Sequence, residues 1–183
     1  MHVNVDIVGR YANEDIDISE LFALDHVMDS NDLATALKLA VAKVAIDYNV
    51  GFDKIDPDYI EGDDSSDELS ITATPGMAWV KEVAKFAWHV LNDPDNDEGV
   101  YFAYVSNEHW NQFDFDDMPD IDDNFQREFD GDYADYAREW MSDMGESLPD
   151  HLENHFDYEA YGESLLDGEN VIEWGYCKYI FSE

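Results

Sequence analysis

The sequence predicts an α+β fold, in which small mixed α/β subdomains end in a C-terminal helix pair and a β-hairpin. The first observation is that apolar residues recur at helical spacing in some segments and alternate with polar residues in others. The second is that the 183-residue chain is 45% hydrophobic and 14% aromatic, which is enough to bury a core. The third is that no internal repeat or sustained heptad is present. Together these features exclude a disordered acidic tail and a repeat protein.

The first third of the chain contains one predicted strand and one predicted helix. His2–Val8 alternates as a half-buried strand does. Asn31–Asp47 has helical spacing, with Asn31 or Asp32 placed to cap its start. Residues 51–68 are rich in Asp, Gly and Ser and are interpreted as a loop or linker.

The middle of the chain predicts a strand, a helix and a buried β-rich run. Leu69–Thr74 is typical of a short strand, and Pro75–Asn92 of a helix with a broad apolar face. Val100–Ser106 is rich in aromatic and β-branched residues and is predicted to be a buried strand.

From Phe113 onward aspartates are interleaved with apolar residues, and three helical stretches precede a hairpin. The helices are expected near Ala134–Met144, from Leu148 and from Asp157, and the hairpin over Asn170–Phe181. The predicted division has three parts, an N-terminal α/β subdomain (1–68), a central subdomain (69–112) and an acidic C-terminal subdomain (113–183).

The chain is strongly acidic, and the acids concentrate in its second half. It contains 45 acidic and 9 basic residues, for a net charge of −36 and a pI near 4.1. Residues 1–85 contain 18 acids and 6 bases, whereas residues 86–183 contain 27 acids and 3 bases. Such a surface repels nucleic acid and anionic membranes, so it predicts a strongly basic protein as the partner.

Other global features predict a soluble, cytoplasmic protein. Cys177 is the only cysteine, which excludes an intrachain disulfide. The start of the chain lacks the basic residues and apolar run of a signal peptide. No run of 18 apolar residues occurs.

A row of carboxylates follows one side of the helix predicted near Ala134. At about 100° per residue, Asp132, Asp135, Glu139 and Asp143 fall within an arc of about 80°. The apolar residues form a separate, wider arc, comprising Tyr133, Tyr136, Ala137, Trp140, Met141 and Met144. Like charges four residues apart destabilise a helix by roughly 0.2–0.5 kcal/mol per pair. A solvated helix face explains the apolar arc, but it does not explain why lysines are absent from the acidic side.

Carboxylates one turn apart lie about 5–6 Å from each other, whereas duplex DNA carries one phosphate per ~1.7 Å of axis, shared between two strands. A folded protein with several such rows can therefore offer a similar density of negative charge and compete for the lysines and arginines of a DNA-binding cleft, without presenting base edges. This is a DNA-mimic hypothesis. The residues predicted to form the partner-binding surface are Asp114, Asp116, Asp117, Asp120, Asp122, Asp123, Glu128, Asp132, Asp135, Glu139, Asp143, Glu146, Asp150, Glu153, Asp157, Glu159 and Glu163.

Two other interpretations of the charge remain open. Asp outnumbers Glu by 29 to 16, as in halophilic adaptation, although halophilic charge is expected to cover the whole surface evenly. An acidic binding module for a basic protein unrelated to DNA is also compatible with the composition.

The segment from about Phe125 to Phe181 resembles the C-terminal region of the ArdA family of antirestriction proteins. The resemblance is carried by "FQREFDGDYADYAREWMSDMG", by "LPDHLENHFDYEAYGESLL" and by a hairpin ending "KYIF". It implies an elongated, acidic, dimeric protein that mimics bent duplex DNA and occupies the DNA-binding groove of type I restriction–modification enzymes. The residues on the family's antirestriction motif, which lies at the dimer interface, are Phe129, Gly131, Tyr133, Ala137 and Trp140. Asp132, Asp135 and Glu139 fall on acidic positions around this motif.

The first ~110 residues depart from the family pattern. This leaves another nuclease, including a CRISPR effector, as an alternative target.

The sequence contains near-matches to metal sites but predicts no catalysis, cofactor or metal. His151 and His155 are four residues apart, but Glu153 does not directly follow the first histidine as a metalloprotease requires. The stretch from Asp93 begins like a calcium loop, with Asp95 and Asp97 at the expected spacing, but it lacks the central glycine and final glutamate. No phosphate loop, nucleophile elbow or zinc knuckle is present. Cys177 is interpreted as a small core residue.

Overall fold

The computed structural model describes residues 1–62, 68–71, 77–93, 98–108, 110, 114–115 and 121–182. The chain divides into two compact units, Met1–Pro119 and Asp120–Glu183. The predicted α+β class is confirmed. The division into three subdomains and the elongated shape stay predictions.

The N-terminal unit consists of a four-stranded antiparallel sheet and several helices. Its elements are β1 (His2–Ile7), β2 (Ala12–Asp17), α1 (Ile18–Phe22), α2 (Ser30–Asp47), a 3₁₀ turn (Phe52–Lys54), β3 (Ile55–Glu61), β4 (Glu68–Ser70), α3 (Ala78–Asn92) and α4 (Glu98–Glu108). The strand order is β2-β1-β3-β4, and α2 packs against α3.

The predicted first strand is confirmed as β1, but the linker prediction for residues 51–68 is wrong over β3. Ile55, Pro57 and Ile60 are buried while the acids between them are not, so charged residues obscure the strand pattern. Pro57 lies opposite Val5, where the register of the β1–β3 pair shifts. Such an irregularity is a place where a sheet accepts proline.

The helix predicted over Asn31–Asp47 is confirmed as α2, but neither Asn31 nor Asp32 caps it. Asp29 is the N-cap residue, and its Oδ1 accepts hydrogen bonds from the backbone N–H groups of Asn31 and Asp32 at 2.8 and 2.9 Å. The helix therefore begins earlier than predicted, at Ser30.

Two further predictions concern the segments around α3. The strand predicted from Leu69 corresponds to β4, with residues 72–74 outside the described part of the chain. The helix predicted up to Asn92 is confirmed from Ala78, and residues 75–76 of that prediction lie outside the described chain.

The strand predicted over Val100–Ser106 is wrong, because this run is helical and belongs to α4. Val100, Phe102 and Val105 are all buried, and so is most of the run. An apolar run buried on every side shows no period, so it fits a buried helix as well as a strand. Phe102 packs edge-on against Phe86 of α3, with ring centroids 5.2 Å apart.

The C-terminal unit consists of a three-stranded antiparallel sheet with order β5-β7-β6 and a packed pair of helices. Its elements are α5 (Ile121–Asn124), β5 (Phe125–Asp130), α6 (Tyr133–Asp143), α7 (Asp150–Glu153), α8 (Tyr158–Leu165), β6 (Asn170–Trp174) and β7 (Cys177–Phe181). The predicted helices and hairpin are confirmed, whereas β5 is an addition. The core contains Phe129, Tyr136, Leu166 and Ile180.

Glycines bound α6 on both sides, as the sequence indicates. Gly131 and Gly145 have φ angles of +90° and +69°, a left-handed conformation that residues with a side chain rarely adopt.

Within the described ranges, no helix is both long and apolar enough to span a membrane.

Candidate acidic partner-binding surface

Helix α6 presents three carboxylates on its solvent side and packs its other side into the core. The side chains of Asp135, Glu139 and Asp143 are 58, 56 and 63% exposed. On the opposite side Tyr136, Ala137 and Met141 are buried and Tyr133 and Trp140 are half-buried. Met144, predicted to lie on the apolar arc, is instead the C-cap residue and is 62% exposed.

Acids from two elements cap the start of α6. Asp132 is the N-cap residue, and its Oδ1 accepts a hydrogen bond from the Asp135 N–H at 2.9 Å. Glu159 of α8 accepts a hydrogen bond from the Ala134 N–H at 3.1 Å. Asp157 caps α8 in the same way, through the Ala160 N–H. These three acids satisfy N–H groups that have no partner inside their helices, so they stabilise both α6, which carries the row, and α8.

Arg127 contacts the row from β5, a contact that the sequence pattern did not predict. Its Nη2 lies 3.1 Å from Glu139 Oε1, and its Nη1 lies 3.9 Å from Asp143 Oδ2. The guanidinium carbon also lies 5.3 Å from the centroid of the Tyr136 ring. Burial raises the pKa of the Tyr136 phenol, and the charge of Arg127 opposes this rise. The row is thus tied to the sheet as well as to its own helix.

The other two cations of this unit are also held internally. Arg138 Nη1 lies 2.9 Å from Asp135 Oδ1, and its guanidinium carbon lies 4.6 Å from the Tyr158 ring centroid. Lys178 donates a hydrogen bond to the Gly131 carbonyl at 2.7 Å and lies 3.4 Å from Glu173 Oε1. Residues 120–183 contain 19 acids and only these three bases, so the unit keeps a large negative excess after internal pairing.

The remaining predicted surface residues are spread over several elements. Glu128 lies on β5, Glu146 follows α6, Glu153 lies on α7 and Glu163 on α8, and all four are exposed. Asp114, in the N-terminal unit, is exposed. Outside the described residues or side chains lie Asp116, Asp117, Asp120, Asp122, Asp123 and Asp150. The assignment of these acids to one binding surface stays a prediction.

The motif residues divide into core and partly accessible positions. Phe129 and Ala137 are 4% and 0% exposed within a single chain. Tyr133 and Trp140 are half-buried, and Gly131 forms the exposed turn between β5 and α6. Their role at a dimer interface stays a prediction.

One face of the N-terminal sheet carries a second group of acids, which the sequence did not predict because β2 and β3 were not recognised. Residues paired across strands share a face, and here Asp6 lies opposite Asp56 and Glu61 opposite Glu68. Like charges directly opposite each other destabilise a sheet. The acids of this surface, called the N-terminal sheet face, are Asp6, Asp15, Asp17, Asp56, Glu61 and Glu68.

The histidine and calcium-like motifs do not form metal sites in the described part of the structure. His151 lies in α7, which ends at Glu153, so His155 lies beyond the helix that would align the two rings. Asp93 accepts a hydrogen bond from the Tyr101 hydroxyl at 2.6 Å, while Asp95 and Asp97 lie outside the described residues. No three metal-ligating side chains converge among the residues that the structure describes.

Cys177 is half-buried on β7, and its Sγ donates a hydrogen bond to Asp130 Oδ1 at 2.9 Å. This hydrogen bond, together with burial and the acidic surroundings, raises the pKa of Cys177 to about 11 from an ordinary 9.0. A raised pKa keeps the thiol neutral and unreactive at physiological pH.

We therefore expect iodoacetamide to alkylate Cys177 about 100-fold more slowly at pH 8 than an unperturbed thiol, with a rate that rises as the pH approaches 11. Asp130→Asn should accelerate the reaction about tenfold, since it removes the largest cause of the shift. Mass spectrometry of the adduct measures the rate, and Asp167→Asn is the matched control. Equal rates for both variants would contradict the assigned cause.

A comparison with known protein families matches a segment of the chain that contains the carboxylate row. The family model described as antirestriction protein (ArdA) matches residues 77–178, which is more than half of the chain. The match begins near the start of α3, so the expectation that the first ~110 residues depart from the family pattern is wrong from residue 77 onward. No curated protein sequence matches the chain.

Proposed function

The chain belongs to the ArdA family of antirestriction proteins, which act against type I restriction–modification enzymes, and we propose that it inhibits such an enzyme by occupying its DNA-binding groove. In this mechanism the acidic surface replaces the phosphate backbone and displaces DNA from the lysines and arginines of the groove.

The observation that supports this proposal best is the exposed carboxylate row of α6, comprising Asp132, Asp135, Glu139 and Asp143. The helix spaces successive acids of the row by about 5–6 Å. The caps at its start, the contacts of Arg127 and the buried aromatic side hold the helix in place. A rigid row loses less conformational entropy on binding than flexible acids do.

The same mechanism accounts for the remaining functional expectations. Inhibition by occupancy requires no catalysis and no cofactor from this chain. A homodimer formed through the motif at the β5–α6 turn would double the length of the acidic surface. The site of action is the cytoplasm, where restriction enzymes meet incoming DNA.

Three alternatives predict different behaviour. A mimic directed at another nuclease, such as a CRISPR effector, would displace DNA from that enzyme and not from a type I enzyme. An acidic module for an unrelated basic protein would tolerate rearranged acid positions, whereas a mimic depends on their geometry. A halophilic domain would lose structure at low salt, which circular dichroism detects.

We expect the full chain to displace labelled duplex DNA from a type I restriction–modification enzyme, whatever recognition sequence the duplex carries. The affinity should fall by about 10³-fold or more between 50 and 200 mM salt, because binding releases counterions from about six or more charge contacts. Fluorescence anisotropy at the two salt concentrations measures both effects.

An unrelated acidic protein of similar net charge serves as the control, and it should displace much less DNA at the same concentration. Absence of displacement by a folded, monodisperse chain would contradict the proposal for type I enzymes. It would favour another nuclease or an unrelated basic partner.

A further inference from the structure

We propose that Arg127 is a positioning residue of the inhibitor, which fixes Glu139 and Asp143 at the spacing that the partner's groove recognises. The inference rests on the proposed function and deepens it, because it assigns a favourable role to a positive charge on a surface that binds a positive groove. Removing this charge makes the chain more acidic, yet it is expected to weaken binding.

The contacts of Arg127 are those of a bridge between two carboxylates. The Nη2 group donates a hydrogen bond to Glu139 Oε1 at 3.1 Å, while Nη1 lies 3.9 Å from Asp143 Oδ2. Glu139 and Asp143 are four residues apart on α6, so they lie on the same side of the helix. A planar guanidinium contacts two acceptors at once, which a lysine ammonium does less well.

Arg127 is itself held in place, so that it can restrain the two acids. Its side chain is only 32% exposed, and its guanidinium lies against the Tyr136 ring. Its backbone pairs with Ile180 on β7, next to a register shift between Phe125 and Arg127. Irregularities of this kind redirect a side chain and are frequent next to functional sites. The bridge therefore joins a strand to a helix.

Charge and geometry predict opposite effects for the loss of Arg127. One additional net negative charge should tighten binding to a basic groove by no more than about fivefold, since an exposed charge contact contributes up to about 1 kcal/mol. Releasing two restrained side chains should weaken binding by about 3- to 10-fold for each side chain. Geometry therefore dominates, and the expected net weakening is about 2- to 20-fold.

The test compares Arg127→Gln with Arg10→Gln in the DNA-displacement titration, using the full chain. Arg10 is exposed in the turn between β1 and β2 of the N-terminal unit, so its replacement makes the same change in net charge without altering the unit that carries the row. We expect R127Q to require about 2- to 20-fold more protein for half-displacement, and R10Q to require the same amount or less. Circular dichroism at the assay temperature verifies that both variants are folded.

Two further variants separate positioning from a general loss of stability. Arg127→Lys keeps the charge but does not contact both Glu139 and Asp143 as well as arginine does. It should therefore weaken displacement less than Arg127→Gln but more than Arg10→Gln. In a Glu139→Gln/Asp143→Asn background, Arg127→Gln should cause no additional weakening, because the acids that it positions are absent.

If R127Q displaces DNA as well as R10Q does, or if its effect persists in the Glu139→Gln/Asp143→Asn background, the positioning role is overturned while mimicry stands. If the unmodified chain displaces no DNA, the proposed function is overturned and this inference with it.

Discussion

Neutralising the carboxylate row of α6 is expected to weaken DNA displacement about 100-fold or more, whereas any single Asp→Asn change in the row should weaken it less than about fivefold. The variant combines Asp132→Asn, Asp135→Asn, Glu139→Gln and Asp143→Asn. Each exposed charge contact contributes up to about 1 kcal/mol, and four such contacts sum to two or three orders of magnitude. The slope of log affinity against log salt should also fall by about 3 to 4.

Folding of this variant is expected to persist. Asn caps a helix as well as Asp does, so position 132 keeps its function. The ion pairs of Arg127 and Arg138 involve carboxylates that are more than half exposed, and exposed pairs contribute little to stability. Circular dichroism and a thermal melt measure this directly.

The matched control removes four charges from the N-terminal sheet face, through Asp6→Asn, Asp56→Asn, Glu61→Gln and Glu68→Gln. The change in net charge is the same, and relief of the opposed like charges should stabilise the sheet. A loss equal to that of the row variant would show that total charge determines binding. If a single substitution in the row abolished displacement, binding would depend on one specific contact and not on the sum of many charges.

The largest effect on stability is expected from Gly162→Ala, which should destabilise the C-terminal unit by about 3 kcal/mol. A Cβ on this buried residue of α8 would lie 2.0 Å from the carbonyl oxygen and 2.7 Å from the carbonyl carbon of Tyr133. Both atoms belong to the backbone at the start of α6, so no side-chain rotation relieves the clash and the helices must separate. This cost exceeds the gain of about 1 kcal/mol that Ala brings over Gly inside a helix.

Hydrogen exchange followed by mass spectrometry measures this effect locally. Protection of the α6 and α8 amides should fall, while the amides of α2 in the N-terminal unit should keep theirs. Ser164→Ala, at an exposed position of the same helix, is the control and should change stability by no more than about 0.5 kcal/mol. Unchanged protection in Gly162→Ala would mean that α8 shifts relative to α6 without loss of packing.

The sequence predicted best those elements whose polar and apolar residues segregate. Helix α6 has an apolar side and an acidic side between two glycines, and its position was predicted to within one residue at each end. The hairpin of β6 and β7 was recognised for the same reason, because β-rich residues flank a glycine turn. The elements that were missed lack this contrast. Acids interrupt β3, and α4 is apolar on nearly every side.

The sequence by itself determined the negative excess, the acidic row on one side of α6 and the resemblance to the ArdA family, because composition and helical period depend only on the order of residues. Only the tertiary structure decided which charges act on each other. The structure brings Arg127 of β5 to Glu139 and Asp143, Glu159 of α8 to the start of α6, and Gly162 against the Tyr133 backbone. These contacts join residues 12 to 29 positions apart in the chain. Their distances are set by packing between elements, which a local sequence pattern does not predict.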